Sequence, residues 1–448
     1  MLIKRFKRNT FFSVLLIGSF LILGFSGRLP AQDKASLYQF NLNDCIHYAL
    51  QNQANVKNQQ ISEKISRENV KEAYSKLLPQ VTAGAKYQYT IKRQVSYIGG
   101  NPVLFGVPQQ FQGYVDINQS LFDPTVLGAT TAARLVENMA KQNTRLSKIN
   151  LVSNVMKSYY GVLVFREQLQ LLNANIVRDT KSLSDTKYQF KNGLAQKVDV
   201  DRIQVLVNND ITARNNALRN LKTLMQTLKY NMGMPVEDSI AVTGTIGDSL
   251  ISAVLPEGDT TFYKNRVEYQ QANTELKASK LVKNTVIRSY FPTLSAFYSL
   301  TAPYNSNSFP TLFNGKLYPT SYIGLQLDIP IFSGLIKHFQ YQAAKMNMEI
   351  SRNNMSDLKN SINLEYGNYY RQYLSDMENL KTQKENTKLA KLNYDNLKYQ
   401  FDNGVQPLIE VLNAETTLLQ AQDNYINALY QALVDKVDLD KSLGKLKY

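Results

Sequence analysis

The sequence predicts a mainly α-helical chain that carries a small membrane β-sheet and is written as two internal repeats. Three observations predict this. The hexapeptide Tyr188-Gln189-Phe190-Lys191-Asn192-Gly193 recurs as Tyr399-Gln400-Phe401-Asp402-Asn403-Gly404, 211 positions later. Pro79 with Pro292, Phe122 with Phe332, and Tyr159-Tyr160 with Tyr369-Tyr370 keep nearly the same offset. After Pro124 and again after Gly334 the chain runs without proline to Asn192-Gly193 and Asn403-Gly404. Each run is about 65 residues, or roughly 100 Å of helix, longer than globular domains use. The segments before these runs alternate apolar and polar residues with the period of a strand.

The elements follow in chain order. Residues 1–31 read as a signal peptide: basic Lys4 to Arg8, an apolar run from Phe11 to Phe25, then Gly27, Pro30 and Ala31. About fifteen apolar residues are short for a membrane span. No cysteine follows that run to take a lipid. Beyond it no stretch of 18 apolar residues remains, so the chain can enter a membrane only as strands.

Residues 32–232 form the first repeat. A helix is predicted over 41–77, opening at an Asn41 cap and ending before Pro79. From Val81 to Ile91 odd positions are apolar or Tyr and even positions mostly polar. A second strand runs through Gly113, Val115, Ile117 and Leu121, after a loop near Gly99-Gly100. The long helix then carries Ile176, Leu183 and Phe190 at heptad spacing, and its return carries Leu218, Leu221, Met225, Leu228 and Met232. The first and return helices, at about 37 and 35 residues, stack to the length of the long helix. Each repeat is therefore two rods of equal reach.

Residues 233–261 (Gly233, Pro235, Gly244, Gly247, Pro256, Gly258) break the pattern and are expected to be an irregular equatorial linker. Residues 262–448 repeat the plan. Strands are predicted around Leu294–Leu300 and Ile323–Ile329, and the return helix has Leu412, Leu419, Ile426 and Leu433 seven apart.

Charge and composition remove several functions. The 448 residues carry a net +15, but Lys4, Arg5, Lys7, Arg8 and Arg28 fall in the leader. The other basic residues are scattered, with no nucleic-acid module. One cysteine, Cys45, and two histidines, His47 and His338, cannot build a zinc site, and ten methionines show no clustered pore motif. No G-x-S-x-G or Walker loop is present, so neither cofactor nor enzymatic activity is expected.

Four amphipathic strands cannot close a barrel, and an open edge in lipid leaves backbone groups unsatisfied at several kcal/mol each. Two copies give eight strands and a filled interior, whereas three give twelve and a bore. The competing reading is a periplasmic coiled-coil scaffold without channel activity. Against it stands the 100 Å helix after each hairpin, which brings no globular core to cover the sheet.

The chain resembles the TolC-like outer-membrane efflux proteins over its mature length. The carrying residues are Leu77-Leu78-Pro79-Gln80, Tyr290-Phe291-Pro292-Thr293 and Leu327-Asp328-Ile329-Pro330-Ile331-Phe332-Ser333-Gly334. The stretch Gly404 to Gly444 adds Ile409-Glu410-Val411-Leu412-Asn413-Ala414-Glu415 and the ending Ser442-Leu443-Gly444. The resemblance implies a homotrimer in the outer membrane of a Gram-negative bacterium, with a 12-stranded barrel in lipid and a long periplasmic helical barrel. It implies a passive exit duct for efflux or type I secretion, docked to a periplasmic adaptor and an inner-membrane pump and gated at the tips. The turns Asn192-Gly193 and Asn403-Gly404 would form the aperture and the adaptor surface. Asp199 matches an acidic tip residue. Glu410 matches the outer member of a pore-facing acidic ring, and Asn413 falls where the family often has a second acid. Phe401 and Gln406 stand where a Tyr and an Arg hold the tip shut.

Overall fold

Helical rods running to a common pair of tips, with one four-stranded sheet at their far end, organise the chain. The structure is a computed structural model and describes residues 38–246, 261–314, 316–446 and 448. The signal peptide expected over residues 1–31 lies outside the described residues.

The first half begins with strand β1 (Tyr38–Phe40), then helices α1 (Leu42–Asn52) and α2 (Ala54–Ser75). Asn41 caps α1 through a capping box: Asp44 N donates to Asn41 Oδ1 at 3.0 Å, and Asn41 N donates to Asp44 Oδ2 at 3.1 Å. The predicted single helix over 41–77 is instead broken at Gln53, whose ψ of 124° leaves the helical region. The cause is tertiary. Gly233, at φ 71°, lays its backbone against this point, and a Cβ there would meet Gln53 Cα at 2.7 Å. Gln53 repairs the break by accepting from Asn55 N and Val56 N, which caps α2.

Strands β2 (Gln80–Tyr89), β5 (Gln109–Phe122), β7 (Thr293–Ser306) and β8 (Thr320–Asp328) form one antiparallel sheet in the order β2-β5-β7-β8. Ile91 and Ile329, assigned to strands from alternation, lie just past the ends of β2 and β8. The loop expected near Gly99-Gly100 is the turn of a further hairpin, β3 (Gln94–Ile98) with β4 (Asn101–Phe105). Two glycines at φ 62° and 86° form that turn.

Register sorts the sheet into two faces. Val81, Ile117, Tyr298 and Ile323 lie in one cross-strand row, and Tyr87, Phe111 and Tyr304 in another on the same face. Thr82, Asp116, Ser299 and Tyr322 form a row on the opposite face, where Ser299 Oγ donates to Asp116 Oδ1 at 2.6 Å. Ile323, Leu325 and Leu327 are 60–82% exposed, an apolar strand face that the described residues leave uncovered. Strands β2 and β8 are the unpaired edges.

Helix α3 (Pro124–Lys191) starts at an Asp123 cap with proline at its first position and spans 68 residues, roughly 100 Å. Its partner α4 (Lys197–Met232) has 36 residues. In the second half α5 (Val267–Arg288) precedes the sheet, and α6 (Ile336–Asp402, 67 residues) pairs with α7 (Leu408–Ser442). Residues 240–242, expected to be irregular, form strand β6 (Ile240–Val242), parallel to β1. The strand is strapped to α3 by its carbonyls: Arg166 donates to Val242 O and Gly244 O, both at 2.6 Å, and Tyr159 Oη donates to Thr243 O. Most of the remaining linker, residues 247–260, lies outside the described residues.

The main core sits where these parts meet. Cys45, Ala49 and Val56 pack with Val155, Tyr159, Val162, Leu228 and Met232, and α7 contributes Ile426, Leu429 and Leu433. Burying each large side chain contributes about 1.5–3 kcal/mol. Burial pushes the Cys45 thiol up to about 12, with Asp44 adding to the effect. On the second half Arg266, 6% exposed, binds Glu268, Glu365 and Ser442 O, tying α5, α6 and α7 together.

Candidate functional site

Both tips are built by the same local code. Asn192 N–H reaches Tyr188 O and Gln189 O, its side chain donates to Tyr188 O at 2.9 Å, and Leu194 N donates back to Gln189 O at 2.8 Å. In the second tip Asn403 donates to Tyr399 O at 2.8 Å through Nδ2, and Val405 N donates to Gln400 O at 2.9 Å. These closures satisfy the last helical carbonyls, and they require a left-handed residue between. Gly193 (φ 75°) and Gly404 (φ 74°) supply it.

The next helices start differently. Asp199 is spent locally: its carboxylate accepts from Gln196 N at 3.2 Å and lies 3.8 Å from Arg202. Pro407 stands at the N-cap of helix α7, and Glu410 is exposed in its first turn, where a negative charge suits the helix N-terminus. Asn413, one turn on, is exposed on the same side. Gln406 is half-buried in the turn.

Phe401 joins the two tips. It packs against Leu183, Val200, Ile203, Val207 and Leu408 on one side and against the cluster of Tyr394, Val411, Ala414 and Leu418 on the other. The Lys398 ammonium lies 5.5 Å from its ring. The structure thus brings Phe401 and Leu408 into one apolar plug with α3 and α4, while Asp199 keeps to its own helix start.

Above this plug lies a charged group that heptad reading did not single out. Arg178 of α3 donates through Nε (3.0 Å) and Nη2 (2.5 Å) to Glu415 Oε1 of α7, through Nε to Asp179 Oδ1, and through Nη1 to Asn175 Oδ1. Its guanidinium also lies 4.8 Å from the Tyr394 ring centre on α6. Asn175 Nδ2 donates to Gln422 Oε1 at 3.0 Å. Asp210 of α4 lies beside Asp179, whose carboxyl raises its titration. Asp179, Asp210 and Glu415 are 1%, 3% and 4% exposed. Asp179 Oδ2 and Asp210 Oδ2 receive no hydrogen bond from any nitrogen or hydroxyl of the described residues.

Burial, hydrogen bonding to Asp179 and the charge of Asp179 push Asp210 up to about 7. The same three causes push Glu415 up to about 8, against the pull of Arg178. Burial and the charge of Glu415 raise Tyr394 as well. A smaller relative occurs higher up, where burial and a hydrogen bond to Asp376 push Asp435 up to about 7. These acids occupy the seam. Val207, Asp210 and Ala217 continue one stripe of α4, as Val411, Glu415, Leu418 and Gln422 do on α7. A carboxylate falling on a three-four apolar repeat was the signal that could have found them.

Comparison with known proteins places the chain as a whole in a wider group. The family model described as outer membrane efflux protein matches residues 45–233 and 264–445. The outer membrane protein TolC of Escherichia coli (strain K12) is 22% identical over 395 residues, covering 85% of this chain and 77% of that protein. The alkaline protease secretion protein AprF of Pseudomonas aeruginosa is 22% identical over 436 residues, covering 93% and 85%. A crystal structure of CusC superposes with a TM-score of 0.75 at 18% identity, covering 90% of this chain and 91% of that one.

Proposed function

The chain belongs to the outer membrane efflux protein family, a family of channel proteins, and on that premise we propose that three copies form a passive outer-membrane exit duct of an efflux or secretion system, gated at the helical tips. The observation that carries the reading is the four-stranded sheet with two unpaired edges and one apolar face. Its edges find hydrogen-bond partners in lipid only by pairing β2 of one copy with β8 of the next. Twelve strands enclose a bore that four or eight do not. The polar row of Thr82, Asp116, Ser299 and Tyr322 then faces water, and Val81, Ile117, Tyr298 and Ile323 face lipid.

The rods extend the bore into the periplasm. The tips are the aperture and the surface that a periplasmic adaptor recognises, with an inner-membrane pump supplying energy. Three copies of Glu410 form a ring that favours cations, weakened by the neutral Asn413. Phe401 holds the aperture by packing where a charged network would need an Arg in place of Gln406. A duct of this kind carries no catalytic residue. Among the relatives, AprF is named for protease secretion and CusC for cation efflux; the cargo of this chain follows from the pump it meets.

Reconstitution into planar bilayers tests the reading. Discrete conductance steps are expected from the purified protein. Absence of steps from a folded preparation refutes the duct and leaves the scaffold.

A further inference from the structure

Building on the duct reading, we propose that Asp179, Asp210 and Glu415 around Arg178 form a proton-binding lock between the two helical coils. It holds α3–α4 against α6–α7 while Asp210 or Glu415 carries a proton, and it loosens when both have ionised.

The geometry supplies the lock. Arg178, Asp179 and Asn175 belong to α3 and Asp210 to α4, while Glu415 and Gln422 belong to α7 and Tyr394 to α6, so every bond from Arg178 to Glu415 or from Asn175 to Gln422 crosses between coils. The group sits 14 residues before Asn192, roughly 20 Å from the tip, where a small separation is carried down to the aperture. Its charge is unbalanced: one guanidinium faces three buried carboxyls, and full ionisation leaves two negative charges that solvent screens poorly. The ligand is a proton rather than a metal ion, because the guanidinium at the centre repels a metal cation. The neighbouring charges do not restore balance. Lys391 pairs with Asp395 on the exposed side of α6, Arg214 of α4 turns to Asn173, and Asp423 of α7 accepts from Gln168.

The direction of the pH effect follows from linkage. Asp210 and Glu415 titrate above the ordinary carboxylate range of about 4. An acid raised in the packed state adds stability that is fully present below its ordinary range and is lost as pH climbs through the raised value. The lock is therefore tightest at acidic pH, weakens as pH climbs above the ordinary carboxylate range, and is fully loosened once pH has passed about 7 to 8.

The test combines two readouts on the full-length protein. Nitroxide labels on Asn208→Cys of α4 and Thr417→Cys of α7 report the coil separation, and buried Cys45 stays unlabelled. Planar bilayers report conductance. Between pH about 6 and about 9 the label distance is expected to lengthen and the conductance to rise severalfold. Asp210→Asn is expected to flatten both profiles, and exposed Asp201→Asn to leave the pH step in place. Glu415→Gln serves as the second variant should Asp210→Asn fail to fold. A label distance independent of pH, or an Asp210→Asn profile matching the wild type, overturns the lock. Failure to conduct at any pH counts against the duct instead, and the label distances still decide the lock.

Discussion

Gly193 and Gly404 hold backbone angles that residues with a side chain adopt only at a cost of about 1 kcal/mol or more. Open space surrounds both, so the cost of a substitution there is conformational rather than steric. Gly404→Ala is expected to loosen the turn by about 1 kcal/mol, read as faster hydrogen exchange at the amides of Gly404 and Val405; unchanged exchange contradicts the turn assignment. Glu410 is exposed in a first helical turn and can act on ions beside it. Glu410→Gln should shift reversal potentials in a salt gradient toward non-selectivity, and unaltered potentials remove the ring. Cys45 is fully buried with its thiol pushed up to about 12. It should resist maleimide at neutral pH in the folded protein and react once the protein is denatured.

At the scale of elements, packing between rods carries the stability. Ile426, 1% exposed, reaches from α7 into the core shared with the first half. Ile426→Ala should destabilise the fold by about 2–5 kcal/mol, seen as a lower denaturation midpoint; a midpoint within error of the wild type means that the halves are not packed through α7. The rods, strands and turns were legible because each has a local cause: the Asn41 cap, Pro124 at a helix start, period-two alternation, glycine at the reversals. The break at Gln53 was not, since nothing in residues 41–77 requires it; the backbone of Gly233 does. Strand β6 escaped because three residues show no period, and its partner β1 lies two hundred residues away. Heptad reading found Leu183 in the seam but also counted Ile176 and Phe190, whereas Asn175, Asp179 and Thr186 are what α3 buries there. At the tips the two turns were legible from their Asn-Gly pairs, but the plug formed by Phe401 and Leu408 with α3 and α4 depends on contacts between halves.

At the scale of the whole molecule, one chain supplies an open third of the wall in the proposed trimer. Its exposed apolar strand face and two free edges are satisfied together only by neighbours of the same kind. In the proposed trimer the long helices beneath inherit the symmetry of the sheet, so the number of strands in the barrel sets the width of the helical tube. The membrane, the strand edges and the tips are thus parts of one requirement. Counting the copies in the folded particle tests it most directly. Native mass spectrometry of the detergent-released protein should give three chains per particle, held together until strong denaturation; a stable, folded particle of one or two chains contradicts the shared barrel.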